Sequence, residues 1–273
     1  MFRFHFSYTG AIGRVNGQQV GGRGNTHASR TTYYHTTHIA DIASKHLPNE
    51  VWLKRQLRAN VNINDNCNAF WNGNSINFYT SGGGCANLGE ISGVVAHEWG
   101  HGMDANGVAG GISKPSGEGI ADLYAALYDG TSCIGRGGLS NICNLKGDRC
   151  KFSLGCDGVR DIDYMNHNSE RPHTMSWARN NCDDSVHCKG HVYSEAVWSL
   201  YKRELPAIGY DDLTALELTT YLLYKAADNV EFWYTENGIA PNGGCGGNSG
   251  YKAFLVADDN DGNVNNGTPR KYY

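Results

Sequence analysis

The chain has 273 residues, enough for a large core in one domain or in two lobes sharing a cleft. Its net charge of −4 with no basic stripe argues against nucleic acid, and no apolar run approaches the roughly 18 residues a bilayer span requires. Charged residues make up 18% and glycines number 36, a composition of tight turns and irregular connections rather than of a helical bundle.

The opening MFRFHFSYTG carries Arg3 and His5 and lacks a secretory apolar region. It is therefore expected to be cytosolic or to begin a mature form whose leader is absent. Residues 32–46 (TTYYHTTHIADIASK) predict a helix with Tyr34, His38, Ile42 and Ala43 near one face. His35 and His38 are either a ligand pair or ordinary helix residues, with no carboxylate at matching spacing to support the first. VNIND, NAFWNG and SINFY predict short strands, the last two joined by a turn at Asn72–Gly73. Residues 88–102 predict a helix capped by Asn87, with Glu90 three positions on. Beyond Ser116, helices are expected over 117–128, 192–204 and 212–227. Residues 130–160 form a glycine- and cysteine-rich stretch with no clear period, and no internal repeat is present.

Nine cysteines decide the compartment: Cys67, Cys85, Cys133, Cys143, Cys150, Cys156, Cys182, Cys188 and Cys245. No CxxC pair occurs, which removes zinc-ribbon and thioredoxin readings. Most flank short Gly/Asn-rich loops, as disulfides do in an oxidising compartment, so a secreted protein is expected. Cys67 is expected to pair with Cys85 across the hairpin and Cys182 with Cys188. The odd count leaves Cys245 as the candidate unpaired thiol or as partner to a cysteine outside this sequence, and the remaining connectivity is open.

The chemistry concentrates in VVAHEWGHGMD, residues 94–104. On a helix His97 and His101 stack one turn apart, with Glu98 beside the first. An HExxH match arises by chance about once in sixty chains of this composition. Gly100 costs up to ~1 kcal/mol relative to alanine inside a helix, so it needs a packing or functional reason. The metzincin extension is excluded, since it requires Gly at Asp104 and His at Gly107. Two histidines need a third ligand. In SGEGIADLYAALY, residues 116–128, Ile120, Leu123, Tyr124 and Leu127 trace an apolar stripe, and Glu118 and Asp122 share another face. Glu118 would complete a His–His–Glu zinc site with an open fourth position. Asp122 would accept a ring N–H from a ligating histidine. Elsewhere a Glu/Asp pair at a helix start is macrodipole complementarity.

HEWGH followed by GEGIAD resembles the gluzincin metallopeptidases, in particular the thermolysin and fungalysin families. NAFWNG (68–73) matches the substrate-binding edge strand of thermolysin-like enzymes, and VHCKGHVYSEAVWSL (186–200) resembles the fungalysin VHxxG…LW segment. The four motifs span roughly residues 60–200. The resemblance implies an α+β, thermolysin-like two-lobed metallopeptidase: a strand-containing N-terminal lobe over 1–110 ending in the zinc helix, and a mainly helical C-terminal lobe over 111–273. It further implies one catalytic zinc on His97, His101 and Glu118, Glu98 as general base, His187 as oxyanion donor and synthesis as a zymogen. His191 is the rival for the last role. Asp183 or Asp184 would orient His187, the second thermolysin oxyanion donor has no tyrosine to fill it, and a peptide would pair along Asn68 and Ala69. Of Phe70 and Trp71, alternation puts one in the core.

The expected protein is thus a secreted zinc endopeptidase, monomeric, acting on protein or peptide substrates. The alternative is a catalytically weak or inactive zinc-binding interaction domain, against which stands the intact Glu98. A serine-hydrolase reading of GNSG (247–250) lacks the strand–turn–helix context. ADDNDGNVNNG (257–267) clusters Asp258, Asp259, Asp261, Asn260 and Asn263 around Gly262, either a calcium site or a solvated turn.

Overall fold

The computed structural model describes residues 13–15, 18–20, 26–107, 114–138, 156–227 and 250–266. Cys143, Cys150, Cys245 and most of GNSG lie outside them.

A short antiparallel ribbon of β1 (Gly13–Val15) and β2 (Gln18–Val20) precedes the first long helix, α1 (His27–His46). This helix begins five residues before the start predicted from spacing, because Thr26 and Ser29 form a reciprocal capping box. Its buried face also differs from expectation. Ala28, Thr32, Thr36, Ile39, Ala40 and Ala43 face inward, while Tyr34 is exposed. The threonines can be buried because each hydroxyl has a carbonyl to bond: Thr32 donates to Gly89 O at 2.9 Å and Thr36 to Thr32 O at 2.6 Å.

The expected strands form one sheet in the order β3 (Arg58–Ile63), β5 (Ser75–Tyr79), β4 (Ala69–Trp71). β4 and β5 are an antiparallel hairpin with Phe70 opposite Asn77. Gly73 takes φ +92° in its turn, and Asn72 Oδ1 accepts the N–H groups of Asn74 and Ser75. β4 therefore lies at the edge of the three-stranded sheet. Phe70 and Trp71 are both half-buried, Trp71 against Trp52 and Phe70 against Tyr79.

Asn87 does cap, but it caps a 3-10 turn (Leu88–Glu90); the following helix, α2, runs Ser92–Asn106. Glu90 does not complete a capping box and instead meets His27 Nδ1 at 3.0 Å. Helix α3 (Lys114–Asp129) crosses α2 closely, with Ile120, Leu123, Tyr124 and Leu127 all buried as the stripe predicted. Gly100 is the reason for the close approach: a Cβ there would meet Ala121 Cα and a Tyr124 ring carbon at 3.0 Å.

After α3 come a two-residue strand pair, β6 (Cys133–Ile134) with β7 (Arg160–Asp161), then α4 (Met175–Asn181), α5 (Val186–Ser199), a π-helical turn (Leu200–Glu204), α6 (Leu205–Ala207), α7 (Asp212–Ala227) and α8 (Gly250–Asp258). α5 starts six residues before the predicted 192, capped by Ser185, whose side chain accepts the Cys188 N–H. The polar run VHCKGH hid this first turn. Cys67–Cys85 and Cys182–Cys188 are bonded as expected, and Cys133–Cys156 forms a third pair that spacing could not assign.

One contiguous apolar cluster reaches from Ile39 through Ile76, Phe78, Trp99 and Leu123 to Leu222 and Leu223. Full burial of each such side chain contributes about 1.5–3 kcal/mol. The core clamps α2 between the sheet and α3, and so fixes what α2 presents at its other face.

Candidate active site

α2 presents His97 and His101 on one face, with ring centroids 4.6 Å apart. α3 brings Glu118 against them. Glu118 Oε2 lies 3.4 Å from His97 Nε2 and 3.6 Å from His101 Nε2, and the two Nε2 atoms are 3.0 Å apart. Four ligands at zinc distances of 2.0–2.1 Å sit about 3.3 Å from one another at the corners of a tetrahedron. These three separations bracket that edge. Glu118 Oε2 is buried and, close as the imidazoles are, has hydrogen-bond geometry to none of its neighbours. A buried carboxylate oxygen left without a hydrogen bond, beside two imidazole nitrogens in contact with each other at 3.0 Å, suits a cation among the three.

Asp122, one turn beyond Glu118 and fully buried, sits behind His97, its Oδ1 2.9 Å from His97 Nδ1. Accepting that N–H fixes the tautomer that turns the Nε2 lone pair toward Glu118 and His101. Asp122 is itself held by Arg160 of β7, which donates from Nε to Oδ2 at 2.7 Å and from Nη2 to Oδ1 at 2.6 Å. Arg160 escaped the sequence reading. It lies in the glycine- and cysteine-rich stretch and 38 residues from Asp122, and only its adjacency to Asp161 and Asp163 distinguished it. Burial opposes ionisation of Asp122, but Arg160 and His97 hold its carboxyl well below the usual range. Burial likewise opposes charge on His97, yet the adjacent Asp122 and Glu118 carboxylates raise its imidazole to about 10.

Glu98 is 5% exposed and borders a cavity of about 350 Å³ shared with His97, Arg160, His187, Asn68 and Ala69. Burial raises its carboxyl; the two neighbouring histidines and the backbone N–H of Trp71 oppose the rise. The β4 register explains that contact. Phe70 pairs with Asn77 in hydrogen-bonding positions, as do Asn68 with Tyr79 and Asn72 with Ser75, so Ala69 and Trp71 aim their backbone groups away from β5. The outward N–H of Trp71 faces the Glu98 carboxylate, and Ala69 faces the cavity.

His187 stands in the first turn of α5, its Nε2 3.2 Å from Glu118 Oε2 and its side chain half-exposed. Burial of the rest of the ring, then the Arg160 guanidinium, lower its imidazole to about 4, so the ring is neutral and donates through a single N–H. Gly119 permits the approach of α5, since a Cβ there would meet Gly190 O at 2.7 Å. His191, the rival, is wholly buried one turn on, its Nδ1 3.4 Å from Glu195 Oε1. Asp183 and Asp184 are exposed, and neither forms an ion pair with His187 among the described residues. The N-terminal turn of α5 is tied by the Cys182–Cys188 disulfide.

His35 and His38 turn Nδ1 to the Tyr128 hydroxyl at 2.8 and 3.1 Å, as helix residues rather than ligands. In the Asp/Asn stretch, Asp261 Oδ1 accepts the Asn263 N–H and its Oδ2 accepts from Asn266 Nδ2, the contacts of a hydrogen-bonded turn. Asp258, Asp259 and Asp261 are in neither of the two groups of described residues that bring three His, Cys, Asp or Glu donors within 4.8 Å of one another.

Among the described residues no helix is long and apolar enough to cross a membrane. No family model and no curated protein matches the chain. Its structure is similar to that of the precursor of protealysin, a metalloproteinase from Serratia proteamaculans, with a TM-score of 0.55 and 19% identity over 78% of this chain and 70% of that one. At that identity the likeness is one of fold: mainly helical with a small sheet, an α+β architecture consistent with a thermolysin-like two-lobed fold.

Proposed function

We propose that the chain is a secreted zinc-dependent endopeptidase of the gluzincin type, with His97, His101 and Glu118 as metal ligands, Glu98 as general base and His187 as oxyanion donor. The observation that carries the reading is the convergence of His97 Nε2, His101 Nε2 and Glu118 Oε2 at 3.0–3.6 Å, with His97 and Glu98 bordering one cavity. Zinc held there supplies Lewis acidity, polarising a carbonyl and acidifying water.

The chain's own groups do the rest. Asp122 and Arg160 fix the His97 ring, so the ligands need little reorganisation. Glu98, raised by burial, is suited to take a proton from the attacking water and pass it to the leaving amine. His187 directs an N–H into the cleft, where negative charge develops on the carbonyl oxygen. A substrate peptide extends β4 as a further strand, bonding the outward backbone groups of Ala69 beside Asn68. Such backbone recognition predicts modest sequence demands. The three disulfides among the described residues support an oxidising, extracellular setting.

Casein or gelatin cleavage tests the proposal. Zinc-loaded protein should cleave, chelator should stop cleavage, and added zinc should restore it. Folded, zinc-loaded protein that cleaves neither substrate would sink it.

A further inference from the structure

A second histidine–carboxylate cluster lies behind the cleft. Glu195 is completely buried on α5, and its partners are imidazoles from three places in the chain. His191 precedes it by one turn on the same helix. His167 comes from the 3-10 turn Tyr164–His167, and His173 from the segment leading into α4. Among the described residues no lysine or arginine nitrogen comes within 4.0 Å of the Glu195 carboxylate.

His173 straddles the Glu195 carboxylate, its Nδ1 in reach of both oxygens, and only Oε2 also meets a backbone N–H. Oε2 accepts the backbone N–H of His173 at 2.8 Å, with that residue's Nδ1 also at 2.8 Å. Oε1 meets His173 Nδ1 at 2.9 Å, His167 Nδ1 at 3.0 Å and His191 Nδ1 at 3.4 Å, and His167, His191 and Glu195 offer donor atoms within 4.8 Å of one another. The His167 and His191 separations again bracket the ~3.3 Å edge of a tetrahedral zinc site. An ionised carboxylate enclosed without a fixed cation is costly unless something positive balances it. Neutral imidazole beside carboxylate is a donor set for zinc and neighbouring divalent metals rather than for calcium or magnesium.

We infer that His167, His191 and Glu195 bind a second divalent transition-metal ion, zinc by choice of donors, with His173 anchoring Glu195 through its backbone N–H to Oε2. Three protein ligands leave the fourth position to water. The ion ties the 162–174 segment to α5. His187 is one turn before His191 on that helix, and His191 also borders the cleft. The second site therefore braces the element that carries His187, and it is structural rather than catalytic.

The test is a zinc count on folded, desalted protein by mass spectrometry. Wild type should hold two zinc ions per chain, Glu118→Gln one, Glu195→Gln one, and the double variant Glu118→Gln/His167→Gln none. In Glu118→Gln, added zinc should still raise the melting temperature, and His167→Gln in that background should abolish the rise. One zinc in wild type that Glu118→Gln removes would overturn the second site, leaving a purely hydrogen-bonded cluster. One zinc that Glu118→Gln keeps and His167→Gln loses would instead uphold this site and overturn the ligand set of the active site. Should Glu195→Gln fail to fold, a zinc-edge anomalous map of wild type decides: a peak about 2.0–2.2 Å from Glu195 Oε1 supports the site, and none there excludes it.

Discussion

Replacing Arg160 with methionine should damage the protein more than any other single change on β7. The guanidinium makes two bonds of 2.6 and 2.7 Å to a carboxylate with no exposed surface. Without it, Asp122 stays buried with His97 as its remaining ion-pair partner. Breaking a buried pair by removing one partner costs about 3–5 kcal/mol, most of it the stranded charge. For a chain of this size that corresponds to a fall of about 6–20 °C in melting temperature, taking 2–4 °C per kcal/mol. Urea unfolding of zinc-stripped protein is the assay, because it separates the pair from metal binding; the midpoint should fall with the slope unchanged. Arg160→Lys should recover only part of the loss, since an ammonium cannot reproduce the bidentate fork. A loss within about 1 kcal/mol for Arg160→Met would refute the claim that Arg160 holds Asp122 ionised behind His97.

His187→Ala should keep zinc and approximate KM while kcat falls about 10²–10³-fold, whereas His191→Ala should lower the melting temperature and leave kcat of the folded fraction far less affected; steady-state kinetics beside thermal unfolding separates the two. Gly119→Ala gains helix propensity worth up to ~1 kcal/mol but drives a methyl to 2.7 Å from Gly190 O. It should therefore shift α5 and cost more in kcat than in stability, measured on the same preparations. Acid and alkali should destabilise the zinc-free protein for opposite reasons. Asp122 and Glu195 are held below their ordinary values, so their contribution is complete above about pH 5 and lost as pH falls. His97 is raised to about 10, so its contribution is complete below about 6.5 and lost as pH rises. Melting temperature against pH should peak between those limits, and Asp122→Asn should flatten the acid side.

Local periodicity carried the site's first two ligands and little of what supports them. His97 and His101 declare themselves by a four-residue spacing, and Glu118 and Asp122 by a second one, because each pair shares a helix. Gly100 signalled a packing constraint, which the 3.0 Å approach of Ala121 supplies. Arg160, His167 and His173 carry no such period; they come from short or irregular segments, and long-range contact alone gives them meaning. The face of α1 was misread because its inward residues are alanine and threonine, whose burial depends on hydroxyl bonds that hydrophobic spacing does not register. α5 began early for a related reason: its first turn is polar because it lines the cleft. Asp184 followed only from its nearness in sequence to His187, and it points to solvent.

The central claim is that Glu98 performs the proton transfer while His97, His101 and Glu118 hold the metal, so the decisive measurement compares Glu98→Gln with Glu118→Gln for zinc content and peptide hydrolysis together. Glu98→Gln should retain active-site zinc and lose nearly all turnover, and Glu118→Gln should lose that zinc and the turnover at once. Hydrolysis near the wild-type rate in Glu98→Gln, or zinc held at full affinity between His97 and His101 in Glu118→Gln, would contradict the account.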